Sequence, residues 1–162
     1  MIKLSNSILE IAIKEHGAEL CSIIRSGNEH LWNADPSIWA RHSPVLFPIV
    51  GRVWEGRYRI LNNEYNLPQH GFARDMDFTL VEKTDTSARF VLESNDETLA
   101  KYPYPFRLTI SYRLEGDQVI VGWDVENIGK QPMHFQIGAH PAFVLPEFDA
   151  NNPAPRGYFS FE

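Results

Sequence analysis

Along most of this chain apolar and polar residues alternate with a period of two. Residues 107–114, RLTISYRL, put Leu108, Ile110, Tyr112 and Leu114 on one side of an extended backbone and Arg107, Thr109, Ser111 and Arg113 on the other, the spacing of a strand with one buried face. After the turn sequence EGDQ the alternation resumes through Val119, Val121, Trp123 and Val125, which predicts an antiparallel hairpin. Residues 78–83 and 88–93 flank TDTS, residues 57–61 and 64–67 flank NN, and residues 18–24 run into RSGN; each is a strand bounded by turn residues. Helical signal is confined to SNDETLAKY, residues 94–102, where Ser94 and Glu97 have capping-box spacing before PYPF ends the element. The expected class is all-β, built from antiparallel sheets.

Three segments depart from the alternation while staying rich in Gly, Pro and aromatic residues: residues 42–56, residues 67–78 and residues 133–148. Irregular backbone that spends buried-looking side chains is a good place for a site. The last stretch, residues 147–162, is rich in Asn, Pro and Gly and reads as a loop leading to a strand at YFSFE.

The 162 residues, 43% hydrophobic and 22% charged, suit one globular domain spanning 1–162. A net charge of -6, with scattered basic residues, argues against nucleic acid as a partner. A single cysteine, Cys21, cannot form an intrachain disulfide, and Lys and Glu interrupt the apolar residues of the N-terminus. A cytoplasmic setting is expected, with no membrane partner.

Two histidines stand out. His70 lies in HGFARD, where Gly71 permits unusual backbone; the plain alternative is a turn histidine, with Arg74 pairing Asp75 or Asp77 at the surface. His140 lies in GAHP, with Gly138 and Ala139 leaving space for its ring and Pro141 holding it extended; the plain alternative is a satisfied core histidine. His134 alternates with Met133 and Phe135 and reads as a structural strand residue. No CxxC, HxH or HExxH spacing occurs, so no metal is expected, and no GxSxG marks a nucleophile. Trp32, Trp39, Trp54 and Phe72 lie in or beside the irregular segments, and flat apolar faces beside Arg and His suit a sugar ring.

GAEL (17–20), LW (31–32), PVLFPIVGR (44–52), HGFARD (70–75), YPYPF (102–106) and IGAHPAF (137–143), in this order, resemble the aldose 1-epimerase (galactose mutarotase-like) family, in particular its LacX-like branch. The resemblance implies an antiparallel β-sandwich of the galactose mutarotase-like supersandwich type and cofactor-free interconversion of the α and β anomers of a free aldohexose. It makes His140 the acid at the ring oxygen, His70 a second imidazole polarising the same region, and Arg52, Arg74 and Phe72 substrate-binding residues. An arginine in the HGFAR stretch of hexose-6-phosphate relatives contacts phosphate, so a phosphorylated sugar stays open. Family members are longer, and their general-base glutamate comes from a C-terminal part. Neither Glu147 nor Glu162 has that context, so the chain is expected to be an N-terminal portion lacking the base. Two expectations follow: uncovered sheet edges that favour a homo-oligomer, and, as an alternative to the epimerase, a noncatalytic carbohydrate-binding or interaction module on the same fold.

Overall fold

The computed structural model describes residues 1–144 together with 151 and 160; the loop and strand expected over residues 147–162, with Glu147 and Glu162, lie outside the described residues. The described residues form an antiparallel β-sandwich with one short α-helix and two single turns of 3-10 helix. Four strands, β1 (Ile2–Ser5), β2 (Leu9–Ile13), β3 (Leu20–Arg25) and β4 (Asn28–Glu29), form a sheet in chain order. The second sheet is ordered β11-β10-β9-β8, from β8 (Thr79–Lys83), β9 (Ser87–Glu93), β10 (Phe106–Glu115) and β11 (Gln118–Asn127). Between them in sequence lie β5 (Val45–Leu46) and the hairpin of β6 (Arg57–Ile60) with β7 (Asn63–Asn66); β12 (Gly138–Ala139) returns to pair with β5.

The expected β10–β11 hairpin is present, with Ile110 opposite Trp123 and Tyr112 opposite Val121. The β1–β2 hairpin, to which the pattern assigned no element, buries Leu4 on one strand and Leu9, Ile11 and Ile13, at every second residue, on the other; the described part of residues 133–148, singled out as irregular, lies outside strands apart from the two-residue β12. Residues 132–137, expected to be a strand around His134, are irregular. The helix α1 (Asp96–Lys101) is capped one residue later than its spacing suggested. Asn95 accepts from the Thr98 N–H at 3.0 Å and Thr98 Oγ1 accepts from the Asn95 N–H at 2.8 Å, while Ser94 Oγ accepts from the Phe106 N–H. The reciprocal bonds of a capping box therefore form between an amide and a hydroxyl side chain.

Both sheets contribute to one core, Leu4, Ile11 and Ile13 from the first meeting Phe90, Leu108 and Ile110 from the second. Burying an aromatic side chain such as Phe47, which has no exposed surface, stabilises the fold by about 1.5–3 kcal/mol. Phe47 packs against Phe72, Tyr102, Phe106 and Phe135 at ring-centroid distances of 5.0–6.4 Å. This aromatic cluster is the floor on which the irregular segments rest. Among the described residues no helix is long and apolar enough to cross a membrane.

Candidate functional site

Three irregular stretches are stitched together by their own backbones. The Phe47 carbonyl accepts from the N–H groups of Phe72 (3.1 Å) and Ala73 (3.2 Å), and the Phe47 N–H donates to the His70 carbonyl at 3.2 Å. A Cβ on Gly71 would lie 2.1 Å from the Phe47 carbonyl oxygen, so this approach requires glycine. The third stretch joins through β12, where Ala139 pairs with Val45, and through the His140 N–H, which donates to the Pro44 carbonyl at 3.1 Å. His70 and His140 are thereby set on the two flanks of β5 and the loop that follows it.

His70 is tightly specified. Its φ of 65° is in the left-handed region, a strained choice for a non-glycine residue, and its N–H donates to the Gly51 carbonyl at 2.7 Å. The Gly51 N–H in turn donates to His70 Nδ1 at 3.0 Å. A nitrogen that accepts a backbone N–H cannot carry a proton itself, so the proton of the neutral ring is on Nε2. Nε2 is 3.2 Å from the Gln69 side-chain nitrogen, itself a donor, so the Nε2 proton is accepted either by the Gln69 oxygen once the amide turns over or by a sugar oxygen that displaces it. Burial, then the charges of Arg74 and His140, hold the His70 pKa below its ordinary value of 6.5. His70 is therefore a neutral hydrogen-bond donor, and it is close enough to His140 to respond to its charge.

His140 is exposed, and the Trp39 ring leans on it at a centroid distance of 5.1 Å and 50°. Trp39 is itself held by the Trp32 indole N–H, which donates to its carbonyl at 2.8 Å. Its neighbours Ala139 and Pro141 line an apolar cleft of about 250 Å³ with Val45, Ile110, Val121 and Trp123. The backbone and one ring face of His140 are thus fixed while the rest of the ring is open to solvent.

The arginines separate. Arg74 donates from Nη2 to the Gln69 carbonyl at 2.7 Å, and its buried Nε has no hydrogen-bond partner. It lies 3.6 Å from the carboxylate of Asp75, which Arg41 holds at 2.7 Å. Arg74 and His70 thus belong to one cluster, and the carboxylate in that cluster is neutralised from two sides. Arg52 is exposed, forms no hydrogen bond among the described residues, and lines an open groove of about 430 Å³ with Pro48, Val53, His134 and Gln136. Neither His70 nor His140 forms a wall of that groove. Phe72 is 3% exposed and belongs to the aromatic floor, where it supports the neighbouring His70 loop from beneath. His134 is exposed, its carbonyl accepting from the Tyr102 hydroxyl at 2.8 Å.

Trp39 against His140 and the Gly51 N–H on His70 were not legible as contacts, because each joins residues far apart in sequence. The signal that could have found them is composition: a Trp in one irregular segment and a Gly-Arg pair in another, each without a place in any strand.

The family model described as aldose 1-epimerase matches residues 1–153. Protein LacX of Lactococcus lactis subsp. lactis, in its chromosomal and plasmid forms, is 37% identical over 153 residues, which cover 90% of this chain and 51% of LacX. The solved galactose mutarotase related enzyme of Lactobacillus acidophilus superposes with a TM-score of 0.90 at 38% identity, over 93% of this chain and 51% of that one. A galactose mutarotase-like protein of Lactobacillus casei gives 0.88 at 37% identity, over 93% and 52%. The chain spans about half the length of the curated relatives it matches. With nearly all of its residues matched in sequence and its sandwich matched in space, this chain belongs to the aldose 1-epimerase family.

Proposed function

We propose that the cluster around His70 and His140 binds a free aldohexose and opens its ring by general acid catalysis, so that the sugar recloses as the other anomer. Ring opening breaks the bond between the anomeric carbon and the ring oxygen; a proton must reach that oxygen and another must leave the anomeric hydroxyl, here to a solvent water, since no carboxylate among the described residues hydrogen-bonds to either imidazole. His140, solvent-reachable and steadied by Trp39, delivers the first proton as imidazolium. His70, kept neutral with its proton on Nε2, donates a hydrogen bond to the same region of the sugar and adds no second positive charge there. Arg74, whose side chain is 18% exposed, takes an outer hydroxyl, or the phosphate of a phosphorylated sugar, through the part of its guanidinium that reaches solvent. Arg52 meets hydroxyls of a sugar long enough to reach its groove, and Phe72 keeps the His70 loop in register. The observation that carries this reading is the contrast between two imidazoles, one with its Nδ1 occupied by the Gly51 N–H and one exposed with a Trp39 ring against it.

A second reading has its own support. Among the described residues no carboxylate hydrogen-bonds to either imidazole, and Asp75 is engaged by Arg41. The same cluster without a proton acceptor is a carbohydrate-binding module. Polarimetry on freshly dissolved α-galactose and α-glucose separates the two. An epimerase accelerates mutarotation over buffer, and His140→Asn removes about a hundredfold or more of that acceleration. No acceleration, with sugar binding retained in calorimetry, leaves the module; absence of both contradicts each reading.

A further inference from the structure

A second group of chemistry-bearing side chains lies where the start of β3 meets residues 42–44. Glu19 and Cys21 are two apart on extended chain and so project to the same side. His42 is brought to them by its own backbone: the N–H groups of His42 and Ser43 donate to Glu19 Oε1 at 2.7 and 2.9 Å. A carboxylate oxygen of Glu19, Sγ of Cys21 and a ring nitrogen of His42 all lie within 4.8 Å of one another. Two of these groups are under-used. His42 Nδ1 is buried with no hydrogen-bond partner, a cost of about 1–3 kcal/mol that a ligand can relieve. The Cys21 thiol donates to the Glu19 backbone carbonyl at 3.2 Å, a weak bond that a metal can replace. Glu19 itself is 2% exposed, which sets it apart from the acidic groups that crowd a surface.

We propose that Glu19, Cys21 and His42 bind one divalent transition-metal ion of the zinc type. One oxygen, one sulfur and one nitrogen donor suit a borderline-soft ion, whereas calcium and magnesium take oxygen shells. Zinc bonds of about 2.0–2.3 Å place tetrahedral ligands roughly 3.3–3.7 Å apart. The three atoms, now within 4.8 Å, need to draw together by about 1 Å, a side-chain rotation. Oε1 of Glu19 keeps its two backbone bonds, the outer contacts that orient a ligating carboxylate. Oε2, paired with the Lys14 ammonium, turns to the metal, and Lys14, 34% exposed on its side chain, moves into water. Cys21 releases its thiol proton to solvent and coordinates as thiolate. Water completes the shell.

Titration of the tag-free chain with Co²⁺, followed by Zn²⁺, tests this. The expected result is one bound Co²⁺ per chain with a near-ultraviolet thiolate-to-cobalt charge-transfer band, displaced by Zn²⁺. Cys21→Ser abolishes the band, His42→Gln weakens binding about tenfold or more, and Lys14→Met, which removes the competing cation, tightens it. A wild-type spectrum without the band overturns the proposal. So does binding unchanged in His42→Gln, even if Cys21→Ser fails to fold.

Discussion

The backbone surroundings of His70 decide what its ring can do. Burial, then the charges of Arg74 and His140, lower the His70 pKa, and with the Gly51 N–H on Nδ1 an imidazolium would also set two N–H groups against each other. A ¹⁵N-detected imidazole titration is expected to find Nδ1 unprotonated and the ring still neutral at pH 6.5; a proton on Nδ1, or half-protonation at or above that pH, contradicts the assignment. Glu19 is the other residue with a decided charge. Burial alone would raise its pKa, but Lys14 and the N–H groups of Ser43 and His42 outweigh it and hold the carboxyl below its ordinary 4.5. A depressed carboxylate stabilises the fold above the unfolded-state pKa and loses that contribution as pH falls through the folded-state value. Acid unfolding of the wild type therefore steepens below pH 4.5. Glu19→Gln is expected to cost about 3 kcal/mol at pH 7 and to flatten that part of the profile; an unchanged acid limb in urea melts taken across pH argues against it. At this level the sequence was informative where a residue type fixes the local backbone, as Gly71 does with its φ of 72°. It was silent on Glu19 and His42, whose pairing closes a loop between distant strands.

Among the elements, the alternating strands were the most legible, because a two-residue period fixes which face is buried whatever the partner; β8 to β11 fall close to where their spacing put them. The β1–β2 hairpin was missed because Lys3, Glu10 and Lys14 broke up what otherwise alternates. The strand expected around His134 failed for another reason: Tyr102 takes the His134 carbonyl and Pro48 takes the Gln136 N–H, so residues 132–137 bond to loops and not to a ladder. The same loop-to-loop bonding holds the candidate site, and Gly71 is its tightest point. Gly71→Ala combines a φ of 72°, worth about 1–2 kcal/mol against an L residue, with overpacking against Phe47 worth about 1–3 kcal/mol. A loss of about 3 kcal/mol is expected in equilibrium denaturation, together with loss of the His70 imidazole signature described above. A loss under about 1 kcal/mol contradicts the close approach.

Considered entire, the described chain leaves an apolar surface uncovered. β11 pairs with β10 on one edge, and Trp123, 41% exposed, and Phe143, 52% exposed, border the cleft beside His140. Buried partners on β10 show that this face continues the core, so its exposure favours self-association. Sedimentation velocity is expected to show concentration-dependent oligomers that Trp123→Lys shifts toward monomer; a wild-type monomer at every concentration argues against a homo-oligomer. An uncovered face was legible only through the resemblance, since no local pattern reports what lies across a sheet. Whether the two histidines act on one ligand is decided by following the imidazole resonances of His70 and His140 during a titration with galactose. Both are expected to shift together along a single saturation curve, with the His70 shift lost in His140→Asn only if the sugar no longer binds. If neither resonance moves at saturating galactose, glucose or their 6-phosphates, the cluster is not a sugar site.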